Sequence, residues 1–249
     1  MNESSRNERE LAHWKAWQDH ADKVWGWNTP AGKVRADRRA ALFRELARMQ
    51  TSTKAVEIGC GTGEFTARIA PCVKQLLATD LSPELLDHAK GRVTRCCPDA
   101  HVEFEVQDVT ALTLAGSSFD AAFGCSVLHH VDATTALREV HRVLKPNGWC
   151  TFSEPNMLNP QIALQKNVSF LKHRVGDSPD ETAFFRWELV RLLRQVGFED
   201  ITVRNFDFLH PLTPPSWMSI VARIGDFMEK CPVVKEISGS LILCARKPG

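Results

Sequence analysis

Short apolar runs and amphipathic segments alternate through the middle of the chain. Runs at 54–58, 75–79, 102–106 and 119–127 are only a few residues long and rich in Val, Leu, Ala and Phe, which is the habit of strands. A fifth run, ending at Glu154, opens after the turn Lys145-Pro146-Asn147-Gly148. The segments 64–70, 83–95 and 134–144 between them carry apolar residues at helical spacing. Such regular alternation from 54 to about 154 predicts βαβ units and a parallel sheet. Upstream, Leu11, Trp14, Ala21 and Val24 or Trp25 predict a helix over 11–25, and a second amphipathic helix is predicted over 38–49. Downstream, a helix at 183–196 and strands at 201–208 and 241–246 bring the strand count to seven.

Two stretches do not fit the alternation. Residues 155–182 and 209–240 are far longer than the roughly 2 to 6 residues of an ordinary βα connection. In the second, Trp217, Ile220, Val221, Ile224, Phe227 and Met228 mark one helical face, readable as core, as a homodimer contact, or as an apolar lid over a substrate. The expected organisation is a helical cap segment at 1–50 and one domain at 51–249 carrying both insertions.

Composition narrows the partners. With 31 basic and 30 acidic residues the net charge is +1, so no nucleic-acid partner is expected. No apolar run approaches the roughly 20 residues of a membrane span, and the polar start 1–10 does not read as a signal peptide. The eight cysteines show neither a Cys-x-x-Cys pair nor zinc-type spacing, and several sit in apolar strands as small core residues. A reduced, cytoplasmic protein without a metal is the expectation.

The chemistry is concentrated at 56–63, Val-Glu-Ile-Gly-Cys-Gly-Thr-Gly. Glycines at 59, 61 and 63 allow a tight turn at a strand's carboxyl end and let a ligand lie against bare backbone. The dinucleotide fingerprint Gly-x-Gly-x-x-Gly would need glycine at 64, where Glu64 stands. A carboxylate there opposes a pyrophosphate and suits a cationic cofactor without phosphate. Asp80 ends the second run, where an acidic residue can accept both hydroxyls of a ribose. Asp108 follows the third run, within reach of an exocyclic amine of an adenine.

These motifs, together with Phe119-Asp120, Leu128-His129-His130 and Val140-His141-Arg142-Val143-Leu144-Lys145-Pro146-Asn147-Gly148, resemble the class I S-adenosylmethionine-dependent methyltransferases, in particular the small-molecule type with a Leu-His-His motif. The resemblance covers roughly 50–155 closely and the rest in outline. It implies an α/β Rossmann-like fold, a mostly parallel seven-stranded sheet with helices on both faces and an antiparallel last strand. It implies Glu57 and the turn Gly59, Cys60, Gly61 and Gly63 on the methionine part of the cofactor, Asp80 on the ribose, Asp108 with Val109 around the adenine, and Leu81, Cys125 and Ser126 as further cofactor-binding residues. Asn147 stands where the family usually has glycine, and Asn tolerates the same left-handed backbone.

Methyl transfer to a hydroxyl or protonated amine also needs a proton removed, and His is the usual base. His129 and His130, just past the fourth strand, are the first candidates; His210 and Glu154 are the rivals, and His141 reads as structural. The expected activity is methylation of a small hydroxyl-bearing natural product, sugar or lipid-like intermediate. N- or C-methylation, or cofactor binding without catalysis, are the alternatives.

Overall fold

The computed structural model describes residues 21–168, 170, 172, 178 and 181–249. Most of the helix predicted over 11–25 lies outside the described residues; its end, α1 (Ala21–Val24), is helical. There follow α2 (Pro30–Leu46), β1 (Lys54–Ile58), α3 (Thr66–Ile69), β2 (Gln75–Asp80), α4 (Pro83–Cys96), β3 (Val102–Val106), β4 (Phe119–Cys125) and α5 (Ala133–Val143). The chain continues through β5 (Leu144–Pro155), α6 (Pro160–Asn167), α7 (Arg186–Val196), β6 (Glu199–Phe206), α8 (Met218–Met228) and β7 (Ser240–Arg246).

The seven strands form one sheet in the order β3-β2-β1-β4-β5-β7-β6. Pairs among β1 to β5 are parallel, and β7 runs antiparallel between β5 and β6. The winding reverses between β1 and β4, which leaves a crevice at their carboxyl ends. β1 shows why the sheet is covered on both sides. Val56 and Ile58 join Leu137, Val140, Leu189 and Leu193 of α5 and α7 in one apolar cluster. Ala55 joins Ala36, Phe43 and Val93 of α2 and α4 in another.

Local chemistry sets the boundaries. Ser82 caps α4 by accepting from Leu85 N at 3.2 Å, and Asp132 caps α5 by accepting from Thr135 N at 2.7 Å. α2 begins well before the predicted 38 because Thr29 accepts from Gly32 N at 2.9 Å and Pro30 opens the first turn. The helix predicted over 64–70 is cut to one turn, with a 3₁₀ turn at Ala70–Cys72 where Pro71 removes an amide donor. Asn147 does take the left-handed backbone, at φ 64°. The apolar face of α8 is not core, since Trp217, Ile220, Ile224 and Phe227 are exposed. No helix among the described residues is long and apolar enough to cross a membrane.

Glu57 is the exception in the apolar β1. Its carboxyl is buried and accepts a hydrogen bond from Thr66 Oγ1 at 2.6 Å, tying β1 to α3. Burial pushes its pKa from the ordinary 4.5 up to about 8, so the folded protein holds this proton at neutral pH. The folded state thus binds the proton more tightly than the unfolded chain. Stability from this group is complete below 4.5, declines as pH rises, and is gone above about 8. Urea midpoints measured across that window should fall with rising pH, and Glu57→Gln should flatten the slope; an unchanged slope in the variant refutes the assignment.

Gly63 shows how closely the turn packs. It sits at φ 79°, and a Cβ there would lie 2.8 Å from the Cα of Ala89 on α4. Gly63→Ala should destabilise by about 2–4 kcal/mol in urea unfolding, from strain plus overpacking.

Candidate active site

The carboxyl ends of β1, β2, β4 and β5 open onto one cavity of about 750 Å³. That is the edge where open α/β sheets take ligands, and the volume suits a cofactor-sized molecule.

On its β1–β2 side the glycine turn is held by backbone bonds. Cys60 N donates to Thr79 O at 2.9 Å and Gly61 N donates to Asp80 Oδ2 at 2.8 Å. Asp80 Oδ1 accepts from Ser82 N at 3.0 Å, so the carboxylate is aimed by two fixed donors at the end of β2. Burial raises its pKa while those backbone donors pull the other way. Farther along, Asp108 Oδ1 accepts from Thr110 N at 2.8 Å and from Thr110 Oγ1 at 2.7 Å, with Val109 buried beside it. A cavity of this size, bordered by backbone without Cβ atoms and by two aimed carboxylates, fits S-adenosylmethionine.

The turn also has a lid. Trp25, just past α1, places its ring 3.0 Å from where a Cβ on Gly61 would stand. Asp22 of α1 accepts from Thr62 Oγ1 and pairs with Arg92, which fastens α1 to the turn. Glu64 differs from the expectation of a bare repelling charge. It pairs with Arg68 at 2.8 Å and with Arg92, so its charge is neutralised and repulsion of a pyrophosphate is not what selects the cofactor.

Of the sequence candidates, Gly59, Cys60, Gly61, Asp80, Leu81 and Asp108 border the cavity, as do Val109, Cys125 and Ser126. Glu57 and Gly63 lie beneath the turn, facing Thr66 and Ala89. Burial pushes the Cys125 thiol up to about 11, so it is no thiolate nucleophile at neutral pH. Ser126 takes φ 58° and its N–H donates to Ser153 O at 2.7 Å, turning the chain toward the histidines.

On the β4–β5 side Glu154 is buried behind the cavity wall. Its Oε1 accepts from Val127 N at 3.0 Å and Leu128 N at 2.9 Å, and its Oε2 meets His129 Nδ1 at 2.7 Å. With Glu154 accepting, Nδ1 carries the ring proton and Nε2 is the basic nitrogen. Burial and the neighbouring His130 lower the pKa of His129. The two imidazoles lie 4.1 Å apart, centre to centre. His210 is exposed at the cavity mouth, 3.2 Å from Gln161 Nε2, and Arg35 contributes to lowering its pKa after burial. His141 packs edge-on against Phe198 away from the cavity, in line with a structural part.

Several residues that border the cavity were not singled out by pattern. Glu181 accepts from Lys166 Nζ at 2.6 Å and Ser178 N at 2.8 Å and lies 3.6 Å from His130 Nδ1. Although burial opposes ionisation, His130, Lys166 and His129 together hold its carboxyl well below the usual range. Arg35 and Arg39 of α2 both pair with Asp207, at 2.8 and 2.6 Å. No spacing rule links these residues in sequence; only the amphipathic face of α2 and the polar run ending at Glu181 hint at them.

A Methyltransferase domain family matches residues 56–152. The chain is 28% identical over 152 residues to an O-methyltransferase of Penicillium expansum, a match covering 60% of this chain and 53% of that protein's length. It is 31% identical over 184 residues to 2-phytyl-1,4-naphtoquinone methyltransferase of Trichormus variabilis, covering 65% of this chain and 80% of the relative. In fold it is similar to the crystallised [4+2]-cyclase SpnF, with a TM-score of 0.63 and 24% identity over 85% of this chain and 81% of that one. Both the motif order and these likenesses lead to one family: the chain belongs to the class I S-adenosylmethionine-dependent methyltransferases.

Proposed function

We propose that this protein methylates a hydroxyl oxygen of a small molecule, with His129 as the base that takes the hydroxyl proton. The observation that carries the reading is the Glu154–His129 pair, 2.7 Å apart, at the β4–β5 end of the cavity bordered by the glycine turn and Asp80. When bound, S-adenosylmethionine supplies the methyl group; the chain's own residues supply position, exclusion of water and a path for the proton. Glu57 beneath the turn shapes the methionine end, Asp80 holds the ribose, and Asp108 with Val109 holds the adenine. Glu154 keeps the His129 ring in the tautomer whose Nε2 accepts a proton, and it steadies the charged ring afterwards, which makes it a positioning residue. His130 and His210 are rivals for the base.

Segments 155–182 and 209–240, with the cap at 1–50, select the acceptor. Ile162, Lys166, Leu209 and His210 from the insertions and Trp25 and Trp27 from the cap all border the cavity. Apolar rings at the rim and ionic groups in the wall suit an acceptor with an apolar body and a hydroxyl-bearing end. An O-methyltransferase and a naphthoquinone methyltransferase among the relatives support a small-molecule acceptor of this kind.

Asp80→Ala should weaken S-adenosylmethionine binding by about 2 kcal/mol in calorimetry, the worth of a charge-assisted pair of hydrogen bonds. An unchanged dissociation constant would place the ribose elsewhere. His129→Ala should leave cofactor binding intact and lower kcat about 10² to 10⁴-fold on an accepted hydroxyl substrate. Wild-type turnover in that variant would remove His129 as the base, and a matching loss in His130→Ala or His210→Ala would name its replacement.

A further inference from the structure

The cavity wall brings together His129, His130 and Glu181, and one donor atom from each lies within 4.8 Å of the other two. His129 Nε2 is 3.9 Å from Glu181 Oε2, and His130 Nδ1 is 3.6 Å from Glu181 Oε1. Ligands bound at about 2.0–2.1 Å around a tetrahedral metal stand roughly 3.4 Å apart, so binding would draw the three donors, now within 4.8 Å of one another, inward by up to about 1.4 Å. His129 is held through Nδ1 by the buried Glu154, which itself is locked by two backbone amides. A carboxylate on the far nitrogen is the usual way of orienting a ligating imidazole. Glu181 is likewise fixed by Ser178 N at 2.8 Å.

We propose that His129, His130 and Glu181 form a three-ligand site for a transition-metal dication of the zinc type, with its fourth position open to the cavity. Two imidazoles and one carboxylate suit zinc or cobalt rather than magnesium or calcium, which prefer all-oxygen shells. The cysteine spacing in the sequence gave no sign of it, because the donors come from the loop after β4 and from an insertion some fifty residues later. Lys166 is the built-in competitor. Its ammonium lies 2.6 Å from Glu181 Oε2, so ammonium and dication draw on the same carboxylate. One consequence rests on the methyl-transfer reading above. A metal on Nε2 occupies the nitrogen assigned as base, so zinc should inhibit a His129-dependent transfer, and a chelator should restore it.

The binding test does not depend on activity. Metal-stripped full-length protein without a histidine tag is titrated with Co²⁺ by visible absorption, and then with Zn²⁺ in competition. The expected result is one equivalent of Co²⁺ whose spectrum lacks thiolate-to-metal charge transfer, which separates this site from the eight cysteines. Glu181→Gln and His130→Ala should each weaken it at least about tenfold, and Glu154→Gln about 10 to 100-fold. Lys166→Met should tighten it about tenfold by removing the competing charge. An unchanged S-adenosylmethionine dissociation constant in each variant serves as the check on folding. A thiolate band, or a Co²⁺ equivalent that survives in both Glu181→Gln and His130→Ala, overturns the proposal. Loss of cofactor binding in the wild type would instead sink the methyl-transfer reading and leave the metal site standing.

Discussion

Glu154, at the end of β5, takes hydrogen bonds from the Val127 and Leu128 amides and meets the ring of His129, and it does so with almost no solvent contact. A carboxylate at that depth is tolerated only when its oxygens are bonded, and here three partners are supplied by the segment leaving β4. The same contact therefore ends β4, turns the chain into the histidine segment and fixes the orientation of one imidazole. Removing it would leave two backbone amides unpaired as well as a free-turning ring, so the structural and chemical parts of this residue are inseparable.

The two halves of the cavity are built by different physics. On the β1–β2 side the backbone does most of the shaping: amides of Gly61 and Ser82 aim Asp80, and Gly63 lets α4 approach through Ala89. On the β4–β5 side, in the insertion 155–182 and between α2 and the end of β6, ionic side chains dominate: Glu154, Glu181 with Lys166, and Asp207 with Arg35 and Arg39. A half built from backbone depends little on which side chains surround it. A half built from side chains can change with the substrate while the sheet stays as it is.

Burial without a partner charge and burial with one have opposite effects here. Glu57, whose carboxyl is bonded to a threonine hydroxyl and has the like charge of Asp80 nearby, is pushed up to about 8, chiefly by burial, and holds its proton. Glu181, equally hidden but beside two imidazoles and an ammonium, is pushed down and stays ionised. The first is a neutral tie between β1 and α3; the second is a fixed negative charge in the cavity wall. Two glutamates with the same side chain thus serve different ends because of what surrounds them.

The alternation of short apolar runs and amphipathic segments was enough to determine the seven strands, most of the helices and the carboxyl-end position of the glycine turn, Asp80 and Asp108. These depend on periodicities of a few residues and on backbone rules, which are local and can be read along the chain. The left-handed position of Asn147 was legible through the family resemblance, since glycine is usual there and Asn tolerates the same backbone. Folding alone decided the rest. The neutralisation of Glu64 needs Arg92 from α4, the exposure of the α8 face depends on what does not pack on it, and Trp25 meets Gly61 across a gap of 36 positions. Glu181 acquires its meaning from His129, His130 and Lys166, which lie in separate stretches. Ion pairs of this kind carry no periodicity, because any charged residue at the right place in space will serve, and only the tertiary structure says which place that is.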